Sequence, residues 1–189
     1  MAERSLRADA RRNREAIIAA ARSVVEEGRF FELRFDDFAE RAGVGTGTLY
    51  RHFPTRGDLA AAVYLDEVLT LSEHARELSE TLPAGKALEA FLRDVVSHIR
   101  AHEGFARALS SLMADGQAGD TVTSSQPLED AVATLVAAAA AEGSIRRDVR
   151  AGALMMALHS IGASGDRPDW RAETDDLITL VIAGLHSKT

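Results

Sequence analysis

The sequence predicts an all-α protein in which a small N-terminal module of three helices is followed by a larger helical bundle, about nine helices in all. Apolar residues recur at spacings of three and four along most of the 189 residues, which is the period of amphipathic helices. Sustained alternation of apolar and polar residues, which would indicate strands, is absent. Clusters of glycine, proline, serine and threonine separate the periodic stretches and mark the turns.

The first three helices are bounded by clear start and stop signals. They are predicted from about Ala8 or Asn13 to Glu27, from Phe35 to Ala42 and from Thr46 to Phe53. Gly28 and Gly43 follow the first two and supply the left-handed conformation that often ends a helix. Pro54 stops the third, because a proline disfavours helical backbone in the residue before it.

A long fourth helix is predicted to begin at Thr55. Asp58, three residues later, completes a capping box, in which the two side chains bond to each other's backbone amides. Five further helices follow, separated by predicted loops at Ala114–Gln126 and Ser164–Asp169. They are expected at Gly85–Ala101, Glu103–Met113, Pro127–Ala141, Val149–Ala163 and Trp170–His186.

Charge is distributed unevenly along the chain. The net charge is −7, which taken alone argues against nucleic-acid binding. Of the 22 basic and 29 acidic residues, however, 11 and 9 lie in residues 1–57, so this segment carries +2 and the rest carries −9. The asymmetry indicates a basic contact module, residues 1–57, on an acidic body, residues 58–189.

Residues 35–59 have the pattern of a helix-turn-helix. Phe38, Ala42, Leu49 and Phe53 supply buried positions, and the residues between them in the third helix are hydroxyl, aromatic and basic. A helix of this kind fits the major groove of DNA, where its N-terminal residues reach the base edges. A purely structural helical corner is the alternative reading of the same pattern.

Three segments in this region resemble the tetracycline repressor (TetR) family in order and spacing. They read R-E-A-I-I-A-A-A in the first helix, F-A-E-R-A-G-V at the turn, and G-T-L-Y-R-H-F-P-T-R in and after the third helix. The resemblance is specific over about residues 10–60. The amino-acid sequence of the last segment is also similar to that of a subgroup with SbtR-like C-terminal domains.

The resemblance implies a ligand-responsive transcriptional regulator, most simply a repressor that binds a palindromic double-stranded operator as a homodimer. It places Thr46, Gly47 and Arg51 against base edges. It assigns phosphate contacts to Thr48, Tyr50, His52 and Arg56, with additional arm contacts from Arg11 and Arg12. Within the segment, Arg34 and Gly45 replace the usual capping residues, and Asp36 stands where many members have a basic residue.

The same resemblance and the apolar spacing predict two further surfaces in the body. Dimerisation is expected through the last two helices, at Leu154, Leu158, Ile161, Ile178, Val181, Ile182 and Leu185. An apolar small-molecule effector of unknown identity is expected in the bundle, with pocket candidates Phe91, His98, Phe105, Met113, Met155 and His159. For these aromatic and methionine residues an ordinary core role is the alternative, and for His159 a core or interface position.

Catalytic and metal sites are not expected. The chain has no cysteine, and no nucleophile and base constellation or phosphate-binding glycine loop is evident. His98 and His102 lie four apart and would share one helix face, so they permit metal binding, but a complete ligand set is missing. An enzyme and a pure protein-interaction module are the rival classes. Without a membrane span or secretory signal, we expect a cytoplasmic protein with no cofactor.

Overall fold

The computed structural model describes residues 2–102, 105, 125–165 and 167–186, with side chains from residue 7 onward. Within these ranges it contains eight helices and no strand, which confirms the predicted all-α fold. The helices are α1 Ala2–Glu26, α2 Asp37–Arg41, α3 Thr46–His52, α4 Arg56–Thr81, α5 Ala84–Ala101, α6 Gln126–Glu142, α7 Ala151–Ala163 and α8 Trp170–Leu185. The remaining predicted helix, Glu103–Met113, lies outside the described residues except for Phe105. No described helix is long and apolar enough to cross a bilayer.

Most helix ends lie within two residues of the predicted bounds, and the differences that bear on the first unit are at the starts of α1 and α2. The first helix begins at Ala2, upstream of both predicted starts, so the arginine-rich segment is part of α1. The second helix covers only Asp37–Arg41, because Phe35 and Asp36 form turns instead. In these turns the amides of Asp37 and Phe38 donate to carbonyls three residues back, at 3.1 and 3.2 Å.

The described residues divide into two compact units, residues 2–64 in one and residues 65–102, 105, 125–165 and 167–186 in the other. The division falls inside α4, between Tyr64 and Leu65. The capping box at the start of this helix is confirmed, since the Thr55 hydroxyl accepts from the Asp58 amide at 3.1 Å and the Asp58 carboxylate accepts from the Thr55 amide at 3.0 Å.

The first unit is built on the mutual packing of α1, α2 and α3. Its core is almost wholly apolar, and Phe30 and Phe38 meet inside it with ring centroids 5.1 Å apart. Other fully buried members are Ile17, Ala21, Val24, Leu49, Leu59 and Val63. Gly43, with φ +66°, turns the chain between α2 and α3, a conformation that glycine adopts without steric penalty.

The second unit packs α5 against α6, α7 and α8. Its buried residues include Leu88, Phe91 and Leu92 on α5 and Val132 and Leu135 on α6. The carboxylate of Glu142, at the end of α6, accepts hydrogen bonds from the free amides of Ala84 and Gly85 at the start of α5, at 3.2 and 2.9 Å. This contact satisfies amides that α5 itself leaves unpaired.

Candidate nucleic-acid interface

Helix α3 presents one side to the core and the other to solvent. Leu49 and Phe53 are 0% and 2% exposed and anchor the helix in the first unit. The amide of Val44 donates to the carbonyl of Ala39 at 3.0 Å, which fixes the turn that leads into α3. The short helix is therefore held rigidly by its neighbours, and its outer side is available to a partner.

The α3 residues predicted to contact bases or phosphates lie on that outer side or along its margin. Thr46, Gly47, Tyr50 and Arg51 are exposed, whereas Thr48 and His52 are half-buried along its margin. Within the described residues, the Arg51 side chain makes no hydrogen bond or ion pair. The structure thus brings together six of the residues that the sequence singled out, with a cationic group among them.

Neither a close contact nor the backbone conformation explains why residue 47 is a glycine. A Cβ added at this position would meet nothing within 4 Å, and the backbone does not adopt a positive φ. Glycine in a helix is less favourable than alanine by roughly 0.5 to 1 kcal/mol. The position therefore carries a stability cost that no internal contact requires.

Tyr50 lies against the segment that precedes α2. Its ring meets the Phe35 ring edge to face, with centroids 5.3 Å apart and an interplanar angle of 79°. The neighbouring Asp36 carboxylate raises the pKa of the Tyr50 hydroxyl, and burial adds to this effect. This contact was not predicted, because the segment before α2 meets α3 only when the helices pack together.

His52 lies in a positive environment at the end of α3. Partial burial lowers its pKa, and the charges of Arg14 and Arg51 lower it further. The Arg14 guanidinium also lies over the Phe53 ring, 5.3 Å from its centroid. Residues from α1 and α3 thus form one positive edge, on which the imidazole is mostly neutral near neutral pH.

Arg56 makes internal contacts that the sequence did not indicate. Its guanidinium donates to the backbone carbonyls of Phe30 and Leu33, in the segment between α1 and α2. It also lies over the rings of Phe30, Phe35 and Phe38, 5.6 to 6.0 Å from their centroids. These contacts join the start of α4 to the rest of the first unit, so the side chain already has partners where a phosphate contact was predicted.

The predicted arm residues lie on the exposed surface of α1. Arg11 is paired with Glu15 at 3.6 Å, and its side chain is 76% exposed. Arg12 forms an ion pair with Asp9. Both pairs are solvent-exposed, and exposed ion pairs are worth at most about 1 kcal/mol, so a stronger anion could displace either carboxylate.

The predicted pocket residues are scattered through the second unit. Phe91, Phe105 and Met155 are buried as core residues, and Met113 lies outside the described residues. His98 is half-buried, with its Nε2 3.4 Å from a Glu67 carboxylate oxygen, and its ring centroid is 4.5 Å from that of His102. Among the described residues, no group of three or more side chains is arranged to hold a metal ion.

Of the core and interface positions predicted for His159, the structure excludes a core position within the protomer. His159 is exposed on α7, and its Nδ1 donates to the Met155 carbonyl at 2.8 Å.

The predicted dimerisation residues lie mostly inside the protomer. Val181 is half-buried, but the other six are between 3% and 7% exposed. These six are Leu154, Leu158, Ile161, Ile178, Ile182 and Leu185. On the opposite side of the same two helices, Met156 and Leu180 are 73% and 69% exposed. Apolar side chains this large and this exposed stand out on a protein surface.

Two family models match the chain. One, described as bacterial regulatory proteins of the tetR family, covers residues 17–63. The other, described as the C-terminal domain of SbtR-like transcriptional regulators, covers residues 83–187, more than half of the chain.

Known proteins agree with these matches. The solved structure of the TetR transcriptional regulator SCO0520 from Streptomyces coelicolor is 38% identical, covers 93% of this chain and 99% of that chain, and has a TM-score of 0.66. The structure of RolR in complex with resorcinol is 18% identical, covers 94% of this chain and 89% of that chain, and shares the fold with a TM-score of 0.67. A curated HTH-type transcriptional regulator of Staphylococcus aureus is 29% identical over 75 residues, and this match spans only 40% of the length of either protein.

Proposed function

Because this chain belongs to the TetR family of transcriptional regulators and has an SbtR-like C-terminal domain, we propose that it is a repressor that binds a palindromic operator as a homodimer and is released by a small-molecule effector. The observation that carries the proposal is the outer side of α3, where Gly47 and Arg51 have no function inside the chain. The family is one of regulators and not of enzymes.

In the proposed complex, α3 lies in the major groove. Thr46, Gly47 and Arg51 face base edges, and the Arg51 guanidinium suits the two acceptors of guanine. Thr48, Tyr50 and His52 contact phosphates, which position the helix without reading sequence. Arg11 and Arg12 add contacts from α1. We assign Arg56 to the scaffold under this surface, because its guanidinium already has two carbonyl partners.

The two parts of the chain would have different roles. Residues 1–57, with their net positive charge, would contact the DNA, and residues 58–189 would bind the effector and the second protomer. The RolR complex, in which the same fold holds resorcinol, supports a small organic effector. We place it in the second unit, among the pocket candidates. A tilt of α4, which runs from one unit into the other, would transmit binding, with a coupling of about 1 to 3 kcal/mol.

The test is to recover the genomic DNA fragments that the purified protein retains and to measure affinity for them against salt concentration. Affinity should fall steeply as salt rises, because phosphate contacts release counterions. Arg51→Ala should relax base preference while the folded state persists. A flat salt response, or retention of no fragment above background, would reject the proposal.

Gly47→Ala should change stability and DNA affinity in opposite directions. The methyl group meets nothing within 4 Å in the free protein, so the free energy of unfolding should rise by about 0.5 to 1 kcal/mol. Operator affinity should fall about tenfold, because the proposed complex brings a base edge against this position. Urea unfolding and operator titration measure the two effects.

Gly162→Ala is the matched control for Gly47→Ala. It is also a helical glycine, and its added Cβ would lie 3.9 Å from Ile99, an ordinary van der Waals distance. This variant should change stability without changing operator affinity. Unchanged affinity in Gly47→Ala would remove Gly47 from the docking surface.

Operator affinity should rise as the pH falls from about 8 to 6, because a phosphate near His52 would raise the pKa that burial, Arg14 and Arg51 lower in the free protein. Binding then takes up a proton. The added affinity is fully present below the pKa of His52 in the free protein. It is lost as the pH rises through the pKa of His52 in the complex. A difference of one unit between these two pKa values changes the operator affinity about tenfold.

Measurement of operator affinity for His52→Gln should show that this pH dependence has disappeared. His159→Gln, which alters an exposed histidine of the second unit, should retain it. Equal pH profiles for the wild type and His52→Gln would contradict the phosphate contact at His52.

The exposed side of α7 and α8 replaces the predicted buried set as the proposed dimer surface. Met156 and Leu180 supply its apolar centre, while the six predicted residues that are buried hold the two helices in the protomer. Val181, half-buried at the edge, remains in the proposed interface. Two copies of this surface, related by a twofold axis, would pack as a bundle of four helices.

A further inference from the structure

Arg14 lies on α1 at the point where this helix leaves the core of the first unit. One turn further along, Ile17 and Ile18 are 0% and 7% exposed, whereas Arg14 itself is exposed. The packing of α1 against α3 fixes the two isoleucines, and side chains three or four residues apart lie on the same side of a helix. The core therefore determines where the charge of Arg14 lies.

The spacing of acidic residues along α1 leaves Arg14 without a carboxylate partner. Side chains three or four residues apart on a helix are neighbours, so Arg11 meets Glu15. Arg12 meets Asp9 in the same way. None of the residues three or four positions away from Arg14 is acidic. Within the part of the chain that the structure describes, the Arg14 side chain contacts the Phe53 ring and makes neither a hydrogen bond nor an ion pair.

The Phe53 ring brings Arg14 and His52 to the same place at the end of α3. The Arg14 guanidinium carbon is 5.3 Å from the centroid of this ring, and the centroid of the His52 ring is 6.4 Å from it. Phe53 is 2% exposed, and its amide donates to the Leu49 carbonyl at 2.8 Å, so the ring is a fixed support. Attraction to an aromatic ring does not use the N–H donors of a guanidinium, and these donors remain available to an anion.

We propose that Arg14 binds the same DNA phosphate as His52 and is the main contact of α1 with DNA. This inference rests on the proposed function, which places a phosphate at His52. Arg11 and Arg12 would each leave a carboxylate on binding, whereas Arg14 has no such partner to lose. The guanidinium fork matches the oxygens of a phosphate. Because α1 and α3 would hold one phosphate between them, this contact orients α3 in the major groove without reading bases.

Arg14→Ala tests the inference by titration of operator and non-operator duplexes at several salt concentrations. Affinity for both duplexes should fall by similar factors, about tenfold at low salt, because a phosphate contact carries no sequence information. The slope of log affinity against log salt concentration should become shallower by about 0.9, the contribution of one phosphate. A merely structural role of Arg14 would leave this slope unchanged, since it would release no counterion.

Arg29→Ala is the matched control for Arg14→Ala. It removes an equal charge from another exposed arginine, 54% accessible, beyond the other end of α1. The helix between the two positions is roughly 18 Å long at 1.5 Å per residue, which exceeds the screening length of about 10 Å at moderate salt. Affinity should change less than about twofold in this variant, with an unchanged salt slope. Arg14→Lys should recover the slope but only part of the affinity, because an ammonium lacks the fork.

Combination with His52→Gln tests whether the two residues share one phosphate. At about pH 6, where the bound histidine is charged, the loss of affinity in the double variant should be smaller than the product of the two single losses. Independent losses would overturn the inference, as would equal effects of Arg14→Ala and Arg29→Ala. If the wild-type protein shows no salt-dependent DNA binding, the proposed function fails together with the inference. If it binds DNA and Arg14→Ala keeps the salt slope, only the inference fails.

Discussion

Leu180→Glu is expected to convert the proposed dimer into a monomer and to weaken binding to a palindromic operator by about 100-fold or more. Leu180 is 69% exposed in the protomer, so glutamate is tolerated there in the single chain. In the twofold interface, the same change would bury two carboxylates without partners, and an uncompensated buried charge costs about 3 to 5 kcal/mol. Sedimentation or light scattering would measure the mass, and operator titration the affinity.

Leu69→Glu is the matched control for Leu180→Glu. Leu69 is a comparably exposed leucine, 51% accessible, but lies on α4 and not on α7 or α8. The control should keep the mass and the operator affinity of the wild type. A dimeric Leu180→Glu protein, or equal dissociation of both variants, would exclude the Met156 and Leu180 side as the interface.

Arg56→Met is expected to lower the free energy of unfolding of the first unit by about 2 to 4 kcal/mol. The guanidinium donates to the carbonyls of Phe30 and Leu33, and hydrogen bonds from a charged donor contribute about 1.5 to 3 kcal/mol each. Arg56→Lys should recover only part of the loss, because an ammonium cannot reproduce the planar fork that reaches both carbonyls. Urea unfolding followed by circular dichroism would measure it.

Arg51→Met supplies the contrasting variant. Its side chain is exposed and unpaired within the described residues, so the free energy of unfolding should change by less than about 0.5 kcal/mol while base preference relaxes. Under conditions in which Arg56→Met is folded, its DNA affinity should have the same salt dependence as that of the wild type. A shallower salt dependence with unchanged stability would instead show that Arg56 contacts phosphate, as the sequence alone predicted.

Features that depend on residues close in the chain were predictable. The capping box joins Thr55 to Asp58, three residues away, and Gly43 adopts the positive φ that its place after α2 implied. The buried side of α3 followed from the spacing of Leu49 and Phe53. In each case the controlling interaction lies within a helical turn or two, so the local order of residues was sufficient.

Features that depend on distant residues were not predictable from one sequence. Arg56 bonds to carbonyls 26 and 23 residues away, and the Phe35 ring meets the Tyr50 ring only because α2 and α3 pack together. A basic side chain in a helix-turn-helix motif is predicted to contact DNA. The sequence does not show whether a backbone carbonyl will lie close enough to bind it instead. Partners of this kind exist only once the helices are assembled.

The sequence by itself determined the helices, the helix-turn-helix and the family, because periodicity, capping residues and motif spacing are properties of the chain order. Tertiary structure alone decided which side of α7 and α8 is used inside the protomer. Both helices are apolar on more than one side, with Leu158 and Ile182 turned inward and Met156 and Leu180 turned outward. Periodicity cannot rank two apolar sides, and only packing against α5 and α6 shows which one is buried.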